Sequence, residues 1–375
     1  MYSILSVATI TTLLTALFVS VKWRHRVCEG VMPTSLLTFC AILFTSGLDV
    51  GLIMFPLVEF PVYAEEAQYS FANPLAIEFG FWGFLVWGFY FLTTFYFCAI
   101  EPKVKLFEIK PVRFVNSAVI IATCAFTGFL FLDSLPNYIE GISAAPKYAL
   151  VGLIVFFATY SSSHIRYVKF LSIASVVLFL LLGIALTLDS GASLISYSQT
   201  AAGIGEYFTN IQHFFTPVSD YHGWYLFWWF SWSIMIGQFV ARFVPRMPTW
   251  QLLLALLVVP SIALGLWFTS LYYYFVNDLA IRATLTIAMV GVGIIFVVNS
   301  LDSLIRLYSD NLGLSVARFG IRKYLLFNWV LIYGLVLLYQ FTPFQIEWVG
   351  LVVISLYAVI YTLLFQRRKL WYAPN

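Results

Sequence analysis

The chain has 375 residues, of which 62% are hydrophobic and only 10% are charged. This composition, with a mean hydropathy of +0.91, excludes an ordinary soluble domain and is typical of a protein that crosses a membrane several times. The net charge of +3 gives no indication of nucleic-acid binding, because the basic residues follow a membrane topology.

The apolar segments predict an all-α polytopic membrane protein. A span takes roughly 20 apolar residues, and about eleven segments meet that length. They are 3–21, 35–57, 78–99, 114–132, 147–163, 168–188, 223–244, 250–275, 283–305, 324–341 and 347–366. A further segment, 198–215, contains Glu206, Asn210 and His213 and is too polar to span. We expect it to form an amphipathic helix at the membrane interface.

The basic residues predict the orientation. Of the 20 Lys and Arg residues, all but Lys147 and Arg282 fall on alternate loops. The positive-inside rule places those loops and the C-terminus in the cytoplasm, and an odd number of spans places Met1 outside. Basic residues follow the first apolar run instead of preceding it, so we expect a span there and not a cleaved signal peptide. The four cysteines show no metal-binding spacing.

The second span contains the first chemical signal, a carboxylate between two glycines. Gly47, Asp49 and Gly51 lie in the middle of an apolar segment, where glycines weaken a helix and let carbonyl groups turn toward a cavity. A carboxylate at that depth is a functional candidate, because its burial is costly. The alternative is a close crossing of two helices at the glycines, with Asp49 bonded to a neighbour.

Aromatic residues are concentrated in the third and seventh spans. On a helical projection of the seventh span, four aromatic side chains fall within an arc of about 100°. They are Tyr225, Trp228, Trp229 and Trp232. The third span contains Trp82, Trp87 and Tyr90 on one side of the helix. Facing aromatic rings hold a quaternary ammonium group without a formal negative charge. The alternative is packing combined with an interfacial aromatic belt.

Polar side chains in the fourth and ninth spans are candidate ligands for a monovalent cation. Thr123 and Thr127 lie on one helix face, although threonines at this spacing often bond to their own helix. The ninth span places four side chains on one face with a carboxylate beside them. They are Phe296, Asn299, Ser300 and Ser303, next to Asp302.

Several of these stretches together resemble the betaine/choline/carnitine transporter (BCCT) family. They are SGLDVGLIMFPLVE, FWGFLVWGFY, ATCAFTG, RYVKFLS, GWYLFWWFSWSIMIGQFVARF, LLVVPSIALGLWFT and FVVNSLDS. The resemblance extends from about residue 35 to about residue 366, and the tryptophan-rich helix followed by VPSIALGLWF is its most specific part.

This resemblance implies a LeuT-like fold with a 5+5 inverted repeat. The repeats would be 35–190 and 223–375 (with a short cytoplasmic tail), preceded by an N-terminal scaffold helix and loop at 1–34. The external amphipathic helix and its loop would occupy 191–222 and resemble the segment that helps to build trimers in the family. Relative to the family's usual pattern, the chain lacks one N-terminal helix.

The resemblance also implies two kinds of site. The aromatic box that binds substrate matches Trp82, Trp87, Tyr90 and Trp229, with Trp228 and Trp232 beside it. The sodium site at the broken helix matches Phe296, Asn299, Ser300 and the backbone near Ser46 and Leu48. A second sodium site matches Thr123 and Thr127.

The implied function is import of a quaternary ammonium compound of the choline or glycine betaine type, driven by Na⁺ or H⁺, across a bacterial inner membrane. Asp49 replaces the middle glycine of the family's GxGxG motif, and four roles stay open for it. It could neutralise a cationic substrate, titrate as a proton carrier, bind sodium or pair with another residue. We expect a homotrimer and neither cofactor, enzymatic activity nor nucleic-acid binding. The alternatives are transport of a sulfonium or amino-acid derivative and a sensor or accessory protein that does not transport.

Overall fold

In a computed structural model, which describes residues 1–48 and 51–371, the chain is almost entirely helical. The helices of the first half are α1 (Tyr2–Lys22), α2 (Leu36–Gly47), α3 (Gly51–Met54), α4 (Pro56–Glu65), α5 (Pro74–Trp82), α6 (Trp87–Phe95), α7 (Glu101–Val104), α8 (Lys110–Ser134), α9 (Ala144–Ser162) and α10 (Ile165–Asp189). Those of the second half are α11 (Leu194–Ala202), α12 (Gly205–Thr209), α13 (Asp220–Val240), α14 (Thr249–Val276), α15 (Ala283–Leu312), α16 (Val316–Phe319), α17 (Ile321–Phe341), α18 (Ile346–Gln366) and α19 (Arg368–Trp371).

Shorter elements connect these helices. A π-helical turn, Tyr96–Ile100, joins α6 to α7, and 3₁₀ turns occur at Ala67–Tyr69, Leu135–Asn137, Ile211–Phe215 and Ala241–Phe243. Two short strands, β1 (Val27–Cys28) and β2 (Met247–Pro248), pair antiparallel. The pair joins the loop after α1 to the loop before α14.

Capping residues explain where several helices begin. The Asn73 side chain accepts a hydrogen bond from the Ala76 amide, and Pro74 follows at the first position of α5. Ser219 caps α13 in the same way by accepting from the His222 amide. Such caps are worth about 1 kcal/mol each, because they satisfy amides that have no partner within the helix.

Within the described residues, nine helical segments are long and apolar enough to cross a membrane. They are Tyr2–Lys22, Pro74–Val104, Lys110–Asn137, Ala144–Ser162, Ile165–Asp189, Thr249–Val276, Ala283–Leu312, Ile321–Phe341 and Ile346–Gln366. Each corresponds to one of the eleven predicted spans. The prediction of an all-α polytopic membrane protein is therefore confirmed.

The two remaining predicted spans differ from the others in different ways. The segment predicted at 35–57 is discontinuous, because α2 ends at Gly47 and Leu48 has an extended backbone. The segment predicted at 223–244 is the helix α13, which is long enough to span. Its tryptophans and Gln238 make it less hydrophobic than the nine segments above. Nearly all of its residues are nevertheless buried, because it packs against α2, α6, α8 and α18.

The third predicted span, 78–99, is interrupted, and the expectation of one regular helix is wrong there. Helix α5 ends at Trp82 and α6 begins at Trp87. Between them Phe84 has a φ of 45°, a left-handed conformation that costs a residue with a side chain about 1 kcal/mol or more. The backbone amides freed by the interruption bond to other helices. The Phe84 amide donates to the Ser261 hydroxyl of α14 at 2.9 Å.

The external segment predicted as one helix at 198–215 consists of α11, α12 and the 3₁₀ turn Ile211–Phe215. Gly203 lies between α11 and α12, and Gly205 begins α12, so the low helix propensity of glycine accounts for the interruption. The Glu206 carboxylate accepts a hydrogen bond from the Asn73 amide at 2.7 Å. This bond connects the external segment to the start of α5.

Candidate functional site: an aromatic cluster beside an interrupted helix

Aromatic side chains from both sides of the interruption between α5 and α6 contact those of α13. Trp82 meets Trp228 and Trp229 edge to face, with ring centroids 5.2 and 5.5 Å apart. Tyr90 lies 5.8 Å from Trp229 and 5.2 Å from Trp87. All five side chains are buried. These residues, Trp82, Trp87, Tyr90, Trp228 and Trp229, form the aromatic cluster.

Two indole groups stabilise the interruption between α5 and α6. The Trp229 indole N–H donates to the Phe81 carbonyl at 2.7 Å, and the Trp87 indole N–H donates to the Trp82 carbonyl at 3.0 Å. Both carbonyls lie at the end of α5, where a helix leaves its carbonyl groups without internal partners. The same residues therefore terminate the helix and form the cluster.

Gly47 connects the aromatic cluster to the discontinuous second span. The Tyr90 hydroxyl donates to the Gly47 carbonyl at 3.1 Å. A Cβ atom at Gly47 would lie only 3.1 Å from the Trp87 ring, so the position has little room for a larger residue. The end of α2 and the aromatic cluster thus form one continuous site.

The remaining predicted aromatic ligand, Trp232, lies outside the aromatic cluster. Trp232 is buried one turn farther along α13, and among the described residues its indole nitrogen has no hydrogen-bond partner. The indole nitrogens of Trp82 and Trp228 are unpartnered in the same way. Buried donors of this kind are uncommon in proteins and are suited to a polar group of a ligand.

A second group of predicted residues meets at the end of α2. The Ser300 hydroxyl of α15 lies 2.8 Å from the Leu48 carbonyl oxygen and 3.3 Å from that of Thr45. The Ser46 hydroxyl lies 3.1 Å from the Ser303 hydroxyl. Hydroxyl and carbonyl oxygens are thus concentrated where the helix is discontinuous, which is the ligand type that Na⁺ prefers.

The remaining predicted ion ligands surround this group at varying distance. The Asn299 side-chain oxygen accepts from Ser172 at 3.2 Å, and the Phe296 ring packs 5.7 Å from Phe179. The Thr127 hydroxyl lies 3.5 Å from the Thr123 carbonyl oxygen in its own helix. Within the described part of the chain, no hydrogen bond links either threonine to Ser300.

The structure describes only one of the two carboxylates noted in the sequence. Asp302 is fully buried and accepts hydrogen bonds from Ser161 at 2.5 Å and Ser303 at 3.2 Å. It extends the polar group formed by Ser46 and Ser300. Asp49 lies outside the residues that the structure describes.

Sequence reasoning missed a second pair of carboxyl groups. Only 4% of Glu59 is exposed, and Glu78 is fully buried. The one signal was the position of Glu78, a charged residue within a predicted span and four residues before Trp82. The contact with Glu59 depends on how α4 and α5 pack, which residue spacing does not show.

The chain is similar in sequence to known transporters. It is 26% identical to the glycine betaine transporter OpuD of Bacillus subtilis over 278 residues, which are 62% of this chain and 54% of that protein. It is 24% identical to an uncharacterized transporter of Haemophilus influenzae over 278 residues, 63% of this chain and 41% of that protein. It is 22% identical to a glycine betaine transporter of Acinetobacter baylyi over 263 residues, 59% of this chain and 40% of that protein.

No family model matches the sequence. Among solved structures, a Na⁺-coupled sialic acid symporter in a substrate-bound, outward-open state is similar, with a TM-score of 0.54 at 13% identity. The match covers 95% of this chain and 85% of that one.

These similarities confirm the resemblance to transporters of the glycine betaine kind and the LeuT-like fold. The match reaches only about half the length of the curated relatives.

Proposed function

We propose that this chain is a secondary active transporter that imports a quaternary ammonium compound by alternating access. The ammonium group binds in the aromatic cluster, between the interrupted span α5–α6 and helix α13. The observation that carries this proposal is the meeting of Trp82, Tyr90 and Trp229 beside the end of α2. Unlike an interfacial belt, this cluster is buried among helices.

The chemistry of the cluster suits a cation with methyl groups. Cation–π contact with a desolvated ring is worth about 2 kcal/mol or more when the cation lies within about 6 Å of the ring centroid. The centroids of Trp82 and Trp229 are now only 5.5 Å apart and edge to face. An ammonium group between their faces requires the rings to separate, so binding is coupled to relative movement of α5–α6 and α13.

The relatives support the choice of substrate class. Two of them are glycine betaine transporters, and both glycine betaine and choline carry a trimethylammonium group. We therefore extend the binding of this group to the present chain. Glycine betaine and choline differ only at the other end of the molecule, which is a carboxylate in the zwitterion and a hydroxyl in the cation.

We propose that Na⁺ drives the transport and binds among the oxygens near Leu48, Ser46 and Ser300. The similar solved structure is a Na⁺-coupled symporter, which supports this ion over a proton at the position. Asn299 and Phe296 complete the surroundings of that site, and Thr123 and Thr127 would form a second one. The ion must bind the closing state more tightly than the other state, because equal affinity for two states shifts no equilibrium.

The proposed moving parts are the repeats 35–190 and 223–375, which rock against the scaffold. Segment 1–34 would act as scaffold, and segment 191–222 would form the contacts of a homotrimer. The distribution of basic loops supports an external N-terminus and a cytoplasmic C-terminus.

The test is binding of choline and of glycine betaine to the purified protein, followed by tryptophan fluorescence with and without sodium. We expect saturable quenching in the wild type and its loss in Trp229→Leu, because this ring contacts both Trp82 and Tyr90. Trp250→Leu is the matched control, since 43% of Trp250 is exposed at the start of α14. Absence of binding of either compound would refute the substrate class and favour a different solute.

A further inference from the structure

Two buried carboxyl groups are neighbours on one flank of the aromatic cluster. Glu59 of α4 is 4% exposed and Glu78 of α5 is fully buried. The polar neighbours of the Glu78 carboxyl group are Glu59, the Tyr63 hydroxyl and the Trp82 indole. Since Trp82 belongs to the aromatic cluster, this carboxyl pair, Glu59 and Glu78, lies next to the proposed substrate site.

Three tyrosine hydroxyls surround the Glu59 carboxyl group. One of its oxygens accepts hydrogen bonds from the hydroxyls of Tyr221 and Tyr225, the latter at 2.8 Å. The other oxygen accepts from the Tyr63 hydroxyl at 2.9 Å. Three hydroxyl donors on one carboxylate are a strong set, because bonds to a charged acceptor are about twice as strong as neutral ones.

Glu78 has the opposite surroundings. Among the described residues, neither of its carboxyl oxygens has a hydrogen-bond partner with good geometry, and the Trp82 indole N–H is also unpartnered. An ionised carboxylate without donors in a buried place is costly, and a second one facing it is more so. A proton on Glu78 would remove this cost, because neither of its oxygens has a well-aligned donor.

No basic side chain offers an alternative neutralisation. Within residues 1–48 and 51–371, the ion pairs formed by Lys and Arg involve neither Glu59 nor Glu78. The titratable groups closest to the pair are neutral hydroxyls and one stacked imidazole from several helices and turns. They are Tyr63, Tyr69, Tyr138, Tyr221, Tyr225 and His222.

The titratable side chains on the other elements packed against α4 and α5 contact residues other than Glu59 and Glu78. Glu206 of α12 bonds to the Asn73 amide, and His213 stacks on Phe71 with ring centroids 4.4 Å apart. Tyr272 of α14 packs edge to face on Phe60. None of these groups supplies a positive charge to the pair.

We propose that the Glu59–Glu78 pair is a proton-binding site linked to the aromatic cluster. In the ligand-free protein the pair holds one proton, on Glu78. When an ammonium group enters the cluster, Glu78 ionises, its proton leaves to water, and the negative charge left on Glu78 stabilises the cation. By reciprocity, protons weaken ammonium binding to the same extent that ammonium binding releases protons.

This linkage rests on the proposed function, whereas the proton site itself does not. Two measurements therefore separate them. Difference infrared spectroscopy of the purified, ligand-free protein detects a buried protonated carboxyl group whether or not the protein binds any solute. Calorimetric titration with choline in two buffers of different ionisation enthalpy counts the protons released on binding.

We expect a protonated-carboxyl band in the wild type that is lost in Glu78→Gln and kept in Glu65→Gln, the exposed acidic neighbour at the end of α4. Choline binding should release up to one proton and weaken by as much as about tenfold per pH unit on acidification. Both effects should disappear in Glu78→Gln. A band unchanged in Glu78→Gln, or its absence from the wild type, would overturn the proton site.

Glu59→Gln provides a second route if Glu78→Gln fails to fold. With Glu59 neutral, Glu78 ionises without a charge facing it, so the pH range in which choline binding weakens should move downward. Proton release identical to the wild type would overturn the linkage. If no choline binds to any variant while the infrared band follows Glu78, the proposed function fails and the proton site stands.

Discussion

The second and third predicted spans are both interrupted, but the backbone carbonyl groups at the two interruptions have different partners. After Gly47 the carbonyl oxygens of Thr45 and Leu48 lie next to a single hydroxyl, that of Ser300. After Trp82 the freed carbonyls accept hydrogen bonds from indole N–H groups. A hydroxyl can turn its proton away and offer its oxygen to a cation, whereas an indole can only donate.

This difference assigns different chemistry to the two places. The first interruption concentrates oxygen atoms and suits a small inorganic cation. The second has its polar groups satisfied by Trp87 and Trp229 and leaves ring surfaces toward the cluster, so it suits an organic ammonium group. The two places are connected through Tyr90, which donates to Gly47 and contacts Trp229.

The largest expected effect comes from Trp229→Phe, which keeps an aromatic ring but removes the donor to the Phe81 carbonyl. Loss of this hydrogen bond and of part of the ring surface should cost about 2 kcal/mol of binding free energy, or roughly 30-fold in affinity. Choline binding by calorimetry measures it, with Trp250→Phe as control. Affinity equal to the wild type would show that the indole N–H contributes nothing and that ring surface alone decides binding.

A smaller effect is expected for Ser300→Ala, which tests the first interruption. Removing the hydroxyl near Leu48 deletes one oxygen from the proposed sodium site. The factor by which sodium strengthens substrate binding should therefore fall by about tenfold, or ~1.4 kcal/mol. Ser355→Ala is the control, because the Ser355 hydroxyl is exposed and bonds only within α18. An unchanged sodium dependence would place the ion elsewhere.

The smallest effect is expected for Ser261→Ala, which leaves the Phe84 amide without its partner from α14. An unsatisfied amide costs about 1 kcal/mol or more of unfolding free energy, so the melting temperature should fall by a few degrees. Ser355→Ala again provides the comparison. Equal melting temperatures would mean that the second interruption does not depend on the bond to α14.

Local patterns predicted much of this site and part of the fold. Hydropathy predicted the nine segments that, among the described residues, are long and apolar enough to cross a membrane, because such a helix must be apolar along its own length. The glycines in the second span predicted the interruption after Gly47, since helix propensity is local. Residue spacing placed Tyr90 and Trp229 each on an aromatic side of its own helix, whereas the resemblance to transporters joined them into one site.

Contacts between distant segments decided the rest. At the interruption Gly83–Val86, the Phe84 amide bonds to Ser261, and the nearby Phe81 carbonyl bonds to an indole 148 residues away in sequence, contacts that no local pattern indicates. Glu59 and Glu78 become neighbours because α4 packs on α5.

The sequence by itself therefore determined the membrane class, the positions of most spans and the aromatic character of the site. The tertiary structure alone decided which backbone groups face that site and which carboxyl group lacks donors. The physical reason is that hydropathy and helix propensity act within one segment. Hydrogen bonding and the charge of a buried group depend on every segment packed around them.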